Sequence, residues 1–407
     1  MKILMFTCEF APYLGGVAVA THRLARGLVA AGHEVVILSA RKGPEFDSSE
    51  SESIVRVEHD VVDGLPVYRF HKWFHRPEQY AQGIHLLRDL VEDIRPDIVH
   101  SYFVKFCGYQ GHVCARWANA PHIVSCRGND ITKYLLQSTD QIRLVLNSAD
   151  YVLSVSRSLL RWGEIVSSLP RKAYVPNSVG PEFLSAANVP RDEARKKWQL
   201  DASMPAVGTV FRPSWKKGAD YLHQLLRRLG GSHLPGLSLV LIGRYHEQSI
   251  EPFRKSFLQN APEGAERTIH VMSSVSREDL PGLLRSLDLT LITSRREGMP
   301  NVALESLSCG TPVAGTAVDG VVDILQGERA GLLLDRFDAD RAATEIIALL
   351  QDEPRLQGLR HRGPELIAEK YTLSHEVEAH LNVYQTALQN YDAKTTPGWA
   401  DFDGRVA

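Results

Sequence analysis

Ser294-Arg295-Arg296-Glu297-Gly298-Met299-Pro300-Asn301-Val302-Ala303-Leu304-Glu305-Ser306-Leu307-Ser308-Cys309-Gly310-Thr311-Pro312 is the stretch on which the reading of this chain turns. Ahead of it, Leu289 to Ile292 is a short apolar run bounded by polar residues, the signature of a buried strand. Pro300 suits the first turn of a helix, where its missing N–H costs nothing, and Gly310 and Pro312 mark the end of that helix. The order is therefore strand, acidic loop, short helix, new strand. Glu297 falls in the loop and Glu305 one to two turns inside the helix. Unpaired N–H groups from Gly298 to Val302 form an anion site, and Gly298 lets the backbone approach a ligand. An anion site between two carboxylates suits a ligand bearing both phosphate and hydroxyl groups.

Working outward, the flanking sequence repeats this strand–loop–helix grammar. Ala206 to Phe211 reads as a strand, followed by Arg212-Pro213-Ser214-Trp215-Lys216-Lys217-Gly218 and a helix marked by Leu222, Leu225, Leu226 and Leu229. Arg212 and Lys217 thus share one strand-to-helix loop, where a fork of donors and a point charge suit a diphosphate. Leu237 to Gly243, Thr268 to Met272 and Gly331 to Leu334 are further strands, and Val318-Asp319-Gly320 precedes a helix as a second candidate phosphate contact. Helices through Arg341 to Leu350, from Pro354 onward and over Tyr371 to Gln389 follow. The polar tail from Tyr391 to Ala407 has little to bury and is expected to be mobile.

The amino-terminal half reads the same way. Ile3 to Phe6, a Gly15-Gly16 loop, a helix from Val17 to Ala31 and a strand at Val35 to Leu38 make a βαβ unit opening a parallel sheet. The fingerprint G-x-G-x-x-G is absent there, which counts against a dinucleotide enzyme. Gly43 to Ser53 reads as a surface loop, Leu65 to Phe70 as a strand, and His71 to Arg76 as a basic and aromatic segment, either an acceptor lip or a membrane-facing patch. Strands begin within Arg95 to His100, Pro121 to Ser125, Asp150 to Ser156 and Ala173 to Val175. Arg127 and Asp130 lie on the loop after one of them as candidate acceptor or sugar contacts, Arg127 suited to a phosphate or sugar oxygen and Asp130 also to capping the next helix. Turn formers from Pro176 to Pro181 close this half, and two domains are expected, residues 1–185 and 186–370, followed by a helix over 371–390 and a tail over 391–407.

Composition narrows the function. The chain has 407 residues, 44% of them hydrophobic, and a net charge of -2, which gives no global reason to expect nucleic acid. Cys8, Cys107, Cys114, Cys126 and Cys309 are odd in number and lack a C-x-x-C pair, so neither a disulfide framework nor a zinc site is expected. No apolar run reads as a signal peptide or a membrane span, so a cytoplasmic protein is expected, with peripheral contact at the inner membrane face left open. Asp338-Ala339-Asp340 and Asp401-Phe402-Asp403 have the spelling of a metal-binding D-x-D, but capping and solvation explain them better; no metal and no cofactor is expected.

Glu297 and Glu305 have the spacing of the E-x7-E motif of retaining glycosyltransferases, and almost the whole chain resembles glycosyltransferase family 4. The matching segments are Gly15-Gly16, Arg95-Pro96-Asp97-Ile98-Val99-His100, Val175-Pro176-Asn177, Arg212 with Lys217-Gly218, and Glu297 to Pro312. The resemblance implies an α/β protein of the glycosyltransferase-B fold, two Rossmann-like doubly wound domains facing across a cleft. It implies that the chain after Tyr371 crosses back to the first domain. It also implies sugar transfer from a nucleotide-diphosphate sugar, with retention, to a hydroxyl of a saccharide, a lipid-linked glycan or a small metabolite. Arg212 and Lys217 match the pair that neutralises the diphosphate, Glu297 the glutamate at the donor sugar, and Glu305 the one that holds the ribose hydroxyls. Gly298, Met299, Pro300, Asn301 and Val302 match the loop under sugar and phosphate, Gly15 and Gly16 the loop facing them, and Gly243 and Met272 the surroundings of the base.

The chain departs from that family at Arg127, where His is usual, at Asn301 and Asp319, where glycine is common, and at Ser274 near the base. Glu297 is not assigned as a covalent nucleophile. Two other readings compete: a nucleotide-sugar epimerase or phosphorylase with a similar cleft, and a non-catalytic nucleotide-sugar binding protein.

Overall fold

The computed structural model describes residues 1–12, 15–40, 57–70, 77–105, 107–210, 212–232, 236–243, 247–272, 275–327, 329–335 and 337–391. The Gly43–Ser53 loop, the His71–Arg76 segment, Ser274, the Asp401-Phe402-Asp403 triplet and the tail after Tyr391 lie outside them. The chain divides into two compact units, Met1–Asn177 joined by the chain from Leu373 onward, and Ser178–Thr372.

The first unit is built on β1 (Lys2–Thr7), β2 (Glu34–Ala40), β3 (Val57–Val62), β4 (Leu65–Phe70), β5 (Ile98–Ser101), β6 (His122–Cys126), β7 (Tyr151–Ser154) and β8 (Lys172–Tyr174), in the spatial order β3-β4-β2-β1-β5-β6-β7-β8. Every neighbouring pair is parallel except β3 with β4. Ile3, Leu4, Met5 and Phe6 are fully buried, as a central strand covered on both faces requires. β3 is the strand that apolar patterning does not reveal. Its central residues Glu58, His59 and Asp60 are exposed at the sheet edge, and it pairs antiparallel with β4 through the two-residue turn Asp63-Gly64. Both turn residues have positive φ, 49° and 81°, the geometry that an Asp-Gly pair favours in a tight hairpin.

The terminal helix Leu373–Asn390 packs on the first helix, Gly16–Ala30, within this unit. Gly27 permits the approach, since a Cβ there would stand 2.6 Å from Val377 Cγ2. Arg23 and Glu376 meet across the same contact at 3.6 Å, both buried. Two turns onward, His100 on β5 hydrogen-bonds the Tyr384 hydroxyl and Ser125 Oγ, each at 2.7 Å. Burial, reinforced by His380, Arg127 and His122, holds the His100 pKa well below its ordinary value, so the ring is a neutral hydrogen-bond hub.

The second unit contains β9 (Ala206–Val210), β10 (Ser238–Ile242), β11 (Ile269–Met272), β12 (Leu289–Ile292), β13 (Val313–Thr316) and β14 (Gly331–Leu334), all parallel, in the order β11-β10-β9-β12-β13-β14. The chain runs outward from β9 through β10 to β11, returns to β12 beside β9, and runs outward again. A doubly wound sheet binds ligands at the carboxyl ends of its strands where the direction reverses, here between β9 and β12. Leu222, Leu225, Leu226 and Leu229 of the helix Ala219–Gly230 are buried against this sheet, each contributing about 1.5–3 kcal/mol.

The opposite, amino edge is closed by charge. Asp288, immediately before β12, binds Arg191 at 2.9 Å, is bonded by Arg195 and Arg360, and accepts from the Ala206 amide at 2.7 Å. One buried carboxylate thereby ties the helices Arg191–Lys197 and Glu353–Lys370 to the roots of β9 and β12. Burial pulls the Arg191 pKa down to about 9 against the attraction of Asp288, with Arg360, Arg195 and Arg285 adding repulsion.

Candidate active site

The two loops leaving β9 and β12 are latched together. The Arg295 amide donates to the Lys216 carbonyl at 2.8 Å, and Thr293 Oγ1 donates to the Lys217 carbonyl at 3.0 Å. Gly218 has φ +66° and abuts the Thr293 carbonyl so closely that a Cβ would lie 1.9 Å from its oxygen. Two independent steric demands, left-handed backbone and lack of space, therefore select glycine there.

That latch joins two residues eighty positions apart in sequence: Lys217 Nζ stands 2.5 Å from Glu297 Oε1. Ser294 Oγ donates to the same oxygen at 2.6 Å. The Glu297 carboxylate is only 7% exposed. Burial alone would raise its pKa, but the Lys217 and Lys216 charges and the hydrogen bonds from Lys217 and Ser294 outweigh burial and hold it below the ordinary carboxylate value. It is an ionised carboxylate, oriented by two donors and able to receive hydroxyl donors.

The third side is the start of the helix Asp319–Leu325. Asp319, at φ +36°, accepts a 3.0 Å bond from the Glu297 amide. A Cβ on Gly320 would stand 2.2 Å from the Gly298 carbonyl oxygen, so Gly320 is what allows this helix start to touch the loop. The Asp319 carboxylate thus bonds the motif backbone at Glu297. Pro300 is the N-cap of the helix Asn301–Ser308, one position earlier than its sequence suggests, and the loop residues Gly298 and Met299 are buried while Asn301 and Val302 are half-buried. Glu305 lies buried in that helix, with Oε1 3.2 Å from Arg277 Nη1. Arg212 is exposed at the outer end of the β9 loop, with no ion pair among the described residues.

Comparison with known proteins agrees with this architecture in both units. Residues 190–366 match the family model of glycosyl transferases group 1, and residues 14–181 match that of Glycosyltransferase Family 4. The chain belongs to the family 4, group 1 glycosyltransferases. An uncharacterized glycosyltransferase of Methanocaldococcus jannaschii is 23% identical over 96% of this chain and 99% of its own. A D-inositol 3-phosphate glycosyltransferase of Acidothermus cellulolyticus is 27% identical over 72% of this chain and 67% of its own. Among solved structures, a sucrose-phosphate synthase of Thermosynechococcus elongatus superposes with a TM-score of 0.75 at 20% identity, covering 95% of this chain and 99% of that one, which shows the shared fold.

As a member of that family, this glycosyltransferase moves a sugar from a nucleotide-diphosphate sugar to an acceptor with retention of configuration. Among its described residues no group of three or more His, Cys, Asp or Glu side chains is placed to hold a metal ion, and no helix is long and apolar enough to cross a membrane. The remaining residues singled out from sequence fall into three groups. Gly243, at φ +153°, donates its amide to the Met272 carbonyl at 3.1 Å, which sets the two side by side at the carboxyl ends of β10 and β11. Gly15 and Gly16 start the first helix, after β1, at the corresponding reversal point of the first sheet, between β1 and β5. Neither has positive φ.

Arg127 follows β6, stacks 4.3 Å above the buried Tyr102 ring and donates to Asn177 Oδ1 at 2.8 Å. Asp130 is fully buried and caps nothing outward: its carboxylate accepts from the amides of Val104 (3.0 Å), Arg127 (3.1 Å) and Gly128 (2.7 Å). Asp130 therefore staples the loops after β5 and β6 to each other. Sequence reasoning did not single out Ser294, Lys216 or Arg277 as members of the site. The first two sit inside quoted loops and could have been found by asking what neutralises a buried Glu297. No local signal marks Arg277.

Proposed function

We propose that the second unit holds the donor, with Arg212 and Lys217 on the diphosphate, Glu297 on the sugar and Glu305 on the ribose. The amides of Gly298, Met299, Asn301 and Val302 lie under the sugar and phosphate, and Gly243 and Met272 lie beside the base. The first unit presents the acceptor hydroxyl from the carboxyl-edge loops of its sheet, with Arg127 as a contact, and the Gly15-Gly16 loop is assigned to the donor sugar and phosphate. The observation that carries this reading is the Lys217–Glu297 pair on adjacent latched loops at the reversal point between β9 and β12.

Cleavage of the donor builds negative charge on the leaving diphosphate. Two cations and a helix start aimed at that charge stabilise it without a metal, each donor contributing about 2.7–4 kcal/mol to the barrier. Glu297 stays ionised and supports positive character at the sugar carbon while the acceptor hydroxyl attacks from the leaving-group side. The acceptor is a saccharide, a lipid-linked glycan or a small metabolite, and the relatives' names favour a role in glycan or glycosylated-metabolite synthesis. Peripheral attachment to a membrane is compatible with such an acceptor.

The test is thermal stabilisation by a panel of nucleoside diphosphates and their sugars, in chelator, followed by transfer assays with the best donor. A ligand at a hundred times its dissociation constant adds about 2.7 kcal/mol of stability. One base standing out, with the effect abolished by Lys217→Ala and Glu305→Ala, supports the assignment. No response to any nucleotide refutes it.

A further inference from the structure

Arg277 touches the carboxylate proposed for the ribose, and it does so as a bridge. Its Nη1 donates to Glu305 Oε1 at 3.2 Å and its Nε to Glu182 Oε1 at 2.7 Å, while the guanidinium lies 5.1 Å from the centre of the Phe183 ring. Glu182 and Phe183 belong to the four-residue helix Pro181–Leu184, and Glu305 to the helix Asn301–Ser308. The two glutamates differ in setting. Glu305 is 7% exposed and Glu182 33%, so Arg277 reaches from a half-open carboxylate into a closed one.

A planar guanidinium with two of its faces and edges occupied has little freedom left. The Phe183 ring face and the Glu182 bond both favour one placement of the guanidinium. That placement brings Nη1 to Glu305 Oε1. A carboxylate near the end of a three-torsion side chain has a broad last torsion, and an oriented charge-assisted donor on one oxygen is the kind of contact that settles it. Phe183 and Glu182 thus hold Arg277 from one side, and Arg277 in turn donates to one oxygen of the buried Glu305 carboxylate.

We infer that Arg277 is a positioning residue for donor recognition: it orients the Glu305 carboxylate toward a vicinal diol and so sets how strongly the enzyme distinguishes a ribonucleotide from its deoxy counterpart. This rests on the assignment of Glu305 to the ribose made above. Arg277 itself touches no reacting atom. A vicinal diol offers two donors at fixed spacing, and only a carboxylate presented in one plane meets both. Rotated away, it meets one or neither, and each charge-assisted bond lost weakens binding by about tenfold or more.

The experiment measures dissociation constants by calorimetry for the full chain with uridine, guanosine and adenosine 5′-diphosphates, then with the 2′-deoxy and 3′-deoxy forms of whichever binds most tightly. The parent protein is expected to prefer the ribonucleotide at least tenfold over each deoxy form. Glu305→Ala abolishes that preference. Arg277→Ala brings it within about threefold while the deoxy forms bind nearly as before, and Arg277→Lys, which keeps the charge but not the fork, restores only part. In the double variant Arg277→Ala with Glu305→Ala the preference is no lower than in Glu305→Ala alone. A uniform loss of affinity for ribo and deoxy forms alike would mean a merely structural arginine and would overturn the inference, as would full preference retained in Arg277→Ala. Unfolding midpoints accompany each variant, and where Arg277→Ala fails to fold, Arg277→Gln carries the comparison. Absence of any nucleotide binding to the parent overturns the donor assignment and this inference together. Preference lost in Glu305→Ala but kept in Arg277→Ala removes only the latter.

Discussion

Replacing Lys217 by alanine separates the two things this lysine does. In the free protein it donates to a carboxylate that is only 7% exposed, so among the described residues its loss leaves Glu297 with the Ser294 hydroxyl as a direct side-chain donor and Lys216 as a nearby charge. The bond is charge-assisted but Lys217 is 33% exposed, so a stability loss of about 1–2 kcal/mol is expected. The sign with pH follows from the direction of the Glu297 shift. A carboxylate whose folded pKa lies below its unfolded value adds stability that is fully present above the unfolded value and disappears as pH falls through the folded one. The difference between parent and Lys217→Ala should therefore be constant near neutrality and shrink once the pH drops below about 4.5, the ordinary glutamate value. On catalysis the loss is larger, because the charge on a departing diphosphate is greatest in the transition state: kcat/KM should fall about 10²–10³-fold. Urea unfolding across pH and steady-state transfer with the identified donor check both halves. Retention of kcat/KM within threefold, alongside inactivity of Glu297→Ala, would refute the assignment of Lys217 to the leaving group. A stability difference that grew toward acid pH would refute the ion-pair account.

Arg212→Ala should behave oppositely in one respect: with no ion pair among the described residues to lose, stability should stay within about 0.5 kcal/mol while the donor KM rises and kcat falls, read from the same unfolding and transfer assays. Asp288→Ala removes the acceptor shared by two buried arginines, one partly buried arginine and a backbone amide, and breaking such a pair costs about 3–5 kcal/mol. Calorimetry should show the midpoint of the second unit lowered by about 6–20 °C, given about 2–4 °C per kcal/mol for a domain of this size. Because Asp288 lies at the amino end of β12, about 13 Å of strand from the ligand loops, donor affinity of the folded fraction should be nearly unchanged. Gly27→Ala forces a Cβ to within 2.6 Å of Val377 Cγ2 and should cost about 1–3 kcal/mol by denaturant titration of the first unit; a neutral result would mean the terminal helix shifts freely on the first helix.

Much of the fold was legible because a parallel sheet covered on both faces writes itself as short apolar runs. Leu289–Ile292, Leu65–Phe70 and Gly331–Leu334 were expected over the residues they occupy. β3 was not, because an edge strand buries little and Glu58, His59 and Asp60 carry no apolar pattern; the Asp63-Gly64 pair was the signal available for it. At the site, loop membership was readable but partnership was not. That Lys217 would meet Glu297 depends on β9 and β12 being neighbours, a fact of strand order that neither loop encodes. Asp130 shows the converse limit. Its polarity and its place after a strand suggested a ligand, whereas three backbone amides from two loops claim its carboxylate. Arg277 was invisible for the same reason as the Lys217–Glu297 pair: its meaning lies in Glu182 and Glu305, 95 and 28 positions away.

The contact between Gly218 and the Thr293 carbonyl also bears on how this catalyst can be altered. With no room for a side chain between the two loops and two further bonds closing the seam, neither loop has a conformation of its own to offer. Transplanting one of them from a relative with another donor would carry over half of a joint. Recombination that exchanges residues 212–218 and 293–300 as a matched set should yield folded, saturable chimaeras, and single-loop exchanges should not. Under the proposed donor assignment, donor preference should be inherited as a pair of segments, and libraries that vary one while freezing the other should mostly sample broken seams.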